Sequence, residues 1–281
     1  MKYYVLYNPR ANNNNGAAVL AELNTILGDH EIVQQDVMAI DDYQAFLSSL
    51  EQDAELVICG GDGTLNRFAN ALDGKEPSQK IWLLASGTGN DFLRDVGDNG
   101  EKLVYMNEYL KNLPTVTVKG KTYRFLNGVG YGIDGYCCEV GDKLREKQPG
   151  KKINYTGIAI KGLLFHYKPT GATITIDGKE HRFEKVWLAP AMFGRCYGGG
   201  MYPTPGQTRA DDHLSVLVFH GSGKLKTLMI FPSIFKGEHV KKEKYVTVLS
   251  GKEITVKYDE PRAVQIDGET ILDVSEYTAR R

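Results

Sequence analysis

The chain has 281 residues, 42% of them hydrophobic, and a formal net charge of −1. That length suits two domains, each able to bury a core. The near-zero charge excludes a dedicated nucleic-acid binder, which carries a basic excess. Cys137 and Cys138 are adjacent while Cys59 and Cys196 stand alone. That spacing is no metal motif, so free thiols in a reducing cytosol are expected.

Residues 3–7 form a short apolar run, as in a buried strand, and Asn8-Pro9 ends it too early for a signal peptide. Ala17, Ala18, Leu20, Ala21, Leu23 and Leu27 fit one helical face. A weak second strand over 31–35 and a helix carrying Tyr43, Phe46, Leu47 and Leu50 follow. A third strand over 55–59 runs straight into Gly60-Gly61-Asp62-Gly63-Thr64, and residues 64–72 read as a helix. A fourth strand over 81–84 feeds a second glycine loop, Ser86-Gly87-Thr88-Gly89-Asn90-Asp91. Leu103, Met106, Tyr109 and Leu110 make a last helical face. Alternating strands and helices with short connections predict a three-layer, Rossmann-like α/β domain over 1–118, its parallel sheet covered on both sides.

After residues 114–120 the pattern changes to short apolar runs at 173–176, 186–189, 214–219, 245–249, 254–258 and 263–266. Asp177-Gly178 and Asp267-Gly268 are turn signals beside them. Helical stretches at 154–166 and 224–235 interrupt the strands. Residues 119–281 therefore read as a β-rich sandwich domain. No apolar run approaches the ~20 residues that cross a bilayer. The expected location is cytoplasmic, with lipid met from the surface.

The first glycine loop joins a buried strand to a helix start. Glycine lets backbone approach a ligand closely, and the N–H groups of a helix start favour phosphate. Asp62 would repel phosphates unless it holds Mg²⁺ that bridges to them; capping a helix is its alternative role. Gly87, Thr88, Gly89, Asn90 and Asp91 should emerge at the same carboxyl edge of the sheet, where open α/β sheets bind ligands. Thr88 and Asn90 can bond phosphate or ribose, and Asp91 can cap a helix or support metal-bound water. There is no Walker A motif. Gly128-Val129-Gly130-Tyr131-Gly132 lacks the dinucleotide spacing, and Gly221-Ser222-Gly223-Lys224 reads as a loop and helix start.

Gly60-Gly61-Asp62-Gly63-Thr64-Leu65-Asn66 and Gly87-Thr88-Gly89-Asn90-Asp91-Phe92 resemble the signature pair of the diacylglycerol kinase catalytic family. That family includes soluble bacterial lipid kinases and sphingosine and ceramide kinases, with NAD kinases as distant relatives. Asn8-Pro9 resembles its opening element, and residues 127–134 resemble the start of its second domain. Gly198-Gly199-Gly200-Met201 resembles its glycine triplet. Asp211-Asp212-His213-Leu214 resembles an element that helps hold a structural Mg²⁺, and Asp267-Gly268-Glu269 resembles the motif carrying the catalytic base. Three features depart from the pattern: the opening lacks its Ser-Gly pair, Phe193 stands for a polar Asn, and Asp212 or His213 stands for a Gly. A closing segment that returns to the first domain is represented only by a fragment after Glu269.

The resemblance implies an ATP- and Mg²⁺-dependent kinase acting on a lipid hydroxyl, diacylglycerol first. Asn8, Pro9, Asn66 and the two loops would hold ATP. Asp62 would serve the metal with help from Asp91 or Asp134, and Asp211, Asp212 and His213 would form the structural metal segment. Asp267 is the first choice of base and Glu269 the second, in a cleft between domains; a plain hairpin turn is the alternative for Asp267-Gly268. A sphingosine-like lipid or NAD as acceptor, and a nucleotide sensor without turnover, stay open. A homodimer is a possible assembly. Lys143, Arg145, Lys147, Lys151 and Lys152, and Lys236, Lys241, Lys242 and Lys244, are basic groups that either attract anionic headgroups at the inner membrane surface or are solvated loops. Leu163, Leu164, Phe165 and Tyr167 either line a lipid pocket or pack in the core.

Overall fold

The computed structural model describes residues 2–7, 16–85, 90–97, 102–148, 151 and 153–281. The chain divides into two compact units, Met1–Leu113 and Pro114–Arg281.

The first unit runs β1 (Lys2–Tyr7), α1 (Gly16–Leu27), β2 (Glu31–Asp36), α2 (Tyr43–Ser49), β3 (Glu55–Gly60), α3 (Asp62–Ala71), β4 (Lys80–Ala85), α4 (Asp91–Val96), β5 (Leu103–Tyr105) and α5 (Asn107–Leu110). The sheet order is β2-β1-β3-β4-β5. The first four strands are parallel. Every residue of β3 is buried, which is why this strand is an unbroken apolar run rather than an alternating one. Val5, Leu23, Val57 and Leu84 pack together on one side of the sheet.

The expected helical face at 103–110 splits in two. β5 pairs antiparallel with β4, and α5 holds only the end of the stretch. Tyr105 packs edge-on against Trp82 at 5.4 Å. Asn107 Oδ1 accepts the Ile81 N–H at 2.8 Å while its Nδ2 donates to the Gln79 carbonyl. These contacts hold the segment extended at the sheet edge, against its helical periodicity.

The second unit begins with β6 (Thr115–Val118), β7 (Lys121–Arg124), β8 (Gly128–Tyr131) and α6 (Ile133–Lys147). Then come α7 (Tyr155–Lys161), a π-helical turn (Gly162–His166), β9 (Thr170–Ile176), β10 (Lys179–Val186), β11 (Ala191–Met192) and β12 (Leu214–Phe219). The last part holds α8 (Lys224–Ile230), 3-10 turns at Phe231–Lys236 and Glu238–Lys241, β13 (Val246–Gly251), β14 (Glu253–Ile266) and β15 (Glu269–Arg280). The strand order is β13-β12-β11-β8-β14-β15-β6-β7, with β9 on β14 and β10 on β9. These pairings are antiparallel. Register shifts between Lys257 and Arg262 bend β14. Its first part pairs with β9 and its last part with β8, so one strand feeds both faces of a sandwich.

Residues 269–280 form β15, paired with β14 and β6. The helical stretches at 154–166 and 224–235 are each a short α-helix continued by a π or 3-10 turn. Leu163 and Tyr167 belong to the core around Trp187, whereas Phe165 is 71% exposed. Among the described residues no helix is long and apolar enough to cross a membrane.

Candidate active site

In the first unit, β1 is flanked by β2 on one side and β3 on the other. Chain connections diverge there, and such switch points open a crevice beyond the strands' carboxyl ends. β3 ends at Gly60 and α3 starts at Asp62, with Gly61 as extended N-cap and no side-chain cap of its own. A Cβ at Gly60 would lie 2.5 Å from Thr64 Oγ1, so glycine is required there by the loop's own packing. Gly63 differs: a Cβ there would meet nothing within 4 Å, and the residue is exposed at the helix start. The fold does not need that glycine, whereas close approach of a phosphate to the first-turn N–H groups does.

Asp62 takes a role that sequence reasoning missed. Its Oδ2 accepts the Asp91 N–H at 2.9 Å and its Oδ1 the Phe92 N–H at 3.2 Å. It therefore caps α4, not its own helix, and ties the β3 loop to the β4 loop. Asn90 is the N-cap position of α4 without a side-chain cap bond. Asp91, 4% exposed, pairs with Arg94 at 2.8 Å rather than capping the helix. Asn66 is buried and accepts from Asn70 Nδ2. Asn8, Pro9, Gly87, Thr88 and Gly89 lie outside the described residues.

In the second unit, Asp267-Gly268 is a two-residue hairpin turn between Ile266 and Glu269. Both turn residues have positive φ, +45° and +98°, as a type I′ turn requires. The Asp267 carboxylate also does more than turn the chain. Oδ2 accepts the Leu126 N–H at 2.5 Å, and Oδ1 accepts those of Asn127 and Gly128 at 2.8 and 3.0 Å. Three such charge-assisted bonds fix its orientation. Glu269 is exposed at the start of β15.

Asp134, at the start of α6, is the buried acid beside this turn. Its Oδ1 accepts the Gly135 N–H and its Oδ2 the Tyr197 hydroxyl. Burial pushes its pKa up to about 6, with those bonds and one from Gln265 opposing. Gln265 Oε1 in turn accepts the Gly268 N–H at 2.7 Å, so Asp134 and the hairpin share one network. A Cβ at Gly130 would lie 1.7 Å from Asp134 Oδ2. The glycines of residues 128–132 thus make room for packing, not for a dinucleotide. Gly198, Gly199 and Gly200 all have positive φ and loop out between Tyr197 and Met201, which pair with each other. That fixes the tyrosine whose hydroxyl reaches Asp134.

The carboxylates of residues 211–212 are already engaged. Asp211 Oδ2 closes its own turn by accepting the Thr208 N–H at 2.8 Å. Asp212 Oδ2 pairs with Lys252 at 3.0 Å, and that ammonium holds the carboxyl below its ordinary range. His213 lies 3.9 and 3.6 Å from the two acids. Among the described residues no group of three His, Cys, Asp or Glu is arranged to hold a metal ion. At Asp62, too, both carboxylate oxygens accept N–H groups.

Arginine supplies positive charge nearby, which the sequence did not signal. Arg209 donates to the Leu126 carbonyl and to Asn127 Oδ1, at 2.5 and 2.7 Å. It lies 5.4 Å from the Phe193 ring centre, and Arg281 lies 4.7 Å from it. Phe193, the departure from the polar residue, is therefore a cation–π platform.

These features belong to an α/β domain with a glycine loop after its third strand, followed in the chain by an antiparallel sandwich. Residues 2–118 match the diacylglycerol kinase catalytic domain, and residues 127–278 match the YegS C-terminal NAD kinase beta sandwich-like domain. The chain is 26% identical over 198 residues to "Diacylglycerol kinase" of Mycobacterium tuberculosis, covering 68% of this chain and 63% of that protein's length. It is 22% identical to "Putative lipid kinase YtlR" of Bacillus subtilis, over 95% of this chain and 93% of that one. A crystal structure titled as a diacylglycerol kinase from Bacillus anthracis superposes with a TM-score of 0.62 at 20% identity, covering 100% of this chain and 94% of that one. The chain belongs to the diacylglycerol kinase-like family of lipid kinases.

Proposed function

We propose that the protein transfers the γ-phosphate of ATP to a lipid hydroxyl, with diacylglycerol as acceptor and phosphatidic acid as product. The observation that carries the reading is the β3–α3 loop, whose exposed Gly63 leaves the helix start open and whose Asp62 is braced to α4. The names of the relatives, diacylglycerol kinase and lipid kinase, support the acceptor class.

In this reading the first-turn N–H groups of α3 hold the nucleotide phosphates, with Asn66, Asn90 and Asp91 shaping the loops. Mg²⁺, bound with the nucleotide, supplies charge neutralisation at the phosphates. The acceptor oxygen forms a bond to the γ-phosphorus as the bond to the ADP oxygen breaks, and the hydroxyl proton passes to a carboxylate. Asp267 is the proposed acceptor of that proton. Asp134, raised toward neutral pH, is the competing candidate.

The test is radiolabelled ATP with diacylglycerol, sphingosine, ceramide, a polyprenol and NAD. Labelled phosphatidic acid is expected. Labelled NADP would move the acceptor to a soluble nucleotide, and ATP binding without product from any acceptor would leave a nucleotide sensor.

A further inference from the structure

Between Met201 and β12, residues 202–213 form a loop without a helix or strand. A loop of that length inside a compact unit needs something to hold it. Apolar packing supplies little. Of its buried residues only Pro203 is apolar, and the others, Thr204 and Gln207, are polar. The loop ends in the segment whose resemblance implies a structural Mg²⁺.

The side chain of Gln207, 2% exposed, organises the loop from within. Its Nε2 donates to the Thr208 carbonyl at 3.0 Å, to the His213 carbonyl at 3.1 Å and to Asp211 Oδ2 at 3.3 Å. An amide nitrogen has two N–H groups, so three oxygens close on a donor that fully serves two. One of them is a carboxylate oxygen, which also accepts the Thr208 N–H. Oxygens converging on one point, one of them anionic, have the shape of a cation shell. Its size is different: contacts near 3 Å are N–H···O bonds, whereas Mg²⁺ and Ca²⁺ sit about 2.0–2.6 Å from oxygen.

The other end of the amide points the same way. Gln207 Oε1 is buried and finds no hydrogen-bond partner among the described residues, which is costly. Turning the amide over would set that oxygen against three others and lose the N–H contacts as well. The side chain is therefore placed by its nitrogen. The loop so held reaches the Asp267 turn, because Arg209 donates to the Leu126 carbonyl and to Asn127 Oδ1. The N–H groups of that stretch grip Asp267.

We propose that the Gln207 amide takes the place of a structural cation in this segment, its nitrogen tying the Thr208, Asp211 and His213 oxygens together without a metal. The test uses neither nucleotide nor lipid, so the kinase reading can fail without it. The full-length protein is melted in EDTA, and again with millimolar Mg²⁺ or Ca²⁺. The parent should melt within about 1 °C in all three. Gln207→Glu keeps the shape but sets a second carboxylate against Asp211 Oδ2 and the two carbonyls. In EDTA it should melt at least about 4 °C lower. Mg²⁺ or Ca²⁺, now offered two carboxylates, should recover most of that loss. Gln207→Met keeps the volume but donates nothing and adds no oxygen. It should melt about 2–4 °C lower with or without the cations.

A parent whose melting rises with either cation overturns the proposal, since the oxygens then serve a metal. So does a Gln207→Glu or Gln207→Met protein that melts with the parent in EDTA. A Gln207→Glu protein that falls in EDTA and ignores both cations marks an ordinary loop amide, and overturns it too. If Gln207→Glu folds under none of the conditions, Gln207→Met decides alone: a fall supports the amide's role and equality with the parent removes it.

Discussion

Asp62 Oδ2 accepts the N–H of Asp91 at 2.9 Å, across 29 residues of sequence. That bond, with its neighbour to Phe92, makes one side chain the cap of a helix it does not belong to. It fixes the spacing between the β3 loop and the start of α4. The carboxylate charge also sits at the positive end of the α4 dipole, where it is stabilised.

Asp62→Ala should therefore destabilise the first unit by roughly 1–2 kcal/mol, the usual cost of losing a cap. Nucleotide binding should fall with it. Asp62→Asn keeps one acceptor oxygen and should cost less. Urea melts of both variants, with ATP titrated at a fixed low temperature, check this; an Ala variant as stable as the parent would remove the bracing role.

Gly63→Ala separates folding from binding. Because a Cβ there meets no atom of the protein within 4 Å, stability should stay within about 1 kcal/mol of the parent, helped by the better helix propensity of Ala. ATP affinity should drop at least roughly tenfold, an order-of-magnitude expectation for blocked backbone approach. Calorimetric titration measures it, and an unchanged Kd would show that phosphate does not sit over this residue.

The two second-unit carboxylates should respond differently to replacement by Asn. The folded-state pKa of Asp134 is raised to about 6, above its ordinary value of 3.8. A raised carboxyl favours the fold below the ordinary value, and that contribution is lost as pH rises through about 6. Between pH 4 and pH 8 the parent should thus lose roughly 2–3 kcal/mol that Asp134→Asn does not lose. Melting curves at the two pH values decide it. Asp267→Asn should instead lose stability, since one oxygen facing the Leu126–Gly128 N–H groups becomes a donor. If Asp267 is the proton acceptor, it should abolish transfer while ATP still binds; a near-normal rate would reassign the base.

Chelation tests the engaged state of residues 211–213. With Asp212 held by Lys252 and Arg209 bridging Leu126 and Asn127, EDTA should leave the melting temperature of the nucleotide-free protein unchanged. A fall on EDTA, restored by Mg²⁺, would mean that the segment binds a metal after all. Arg209→Met should destabilise regardless of EDTA, by roughly 1–3 kcal/mol for the charged hydrogen bonds lost.

Much of this was legible before folding was considered. Residues 55–59 read as a central strand because β3 is buried on both faces and cannot alternate. Asp267-Gly268 read as a turn because positive φ at two successive positions selects those residue types. The segment at 103–110 misled, because the Trp82–Tyr105 contact and the Asn107 bonds come from a strand about twenty residues earlier. Arg209 and Arg281 gave no signal, since the ring they share, Phe193, is distant from Arg281 in sequence.

The sequence alone determined the order of strand, glycine loop and helix, the change to β structure near residue 114, and the turn at 267–268. These follow from side-chain periodicity and backbone preference, which act over a few residues. Only the tertiary structure decided what each carboxylate does: Asp62 caps α4, Asp134 is buried toward neutrality, Asp212 is paired with Lys252, and Asp267 is gripped by three amides. A carboxylate's role depends on burial and on partners brought from as far as 141 residues away, and no local pattern encodes them.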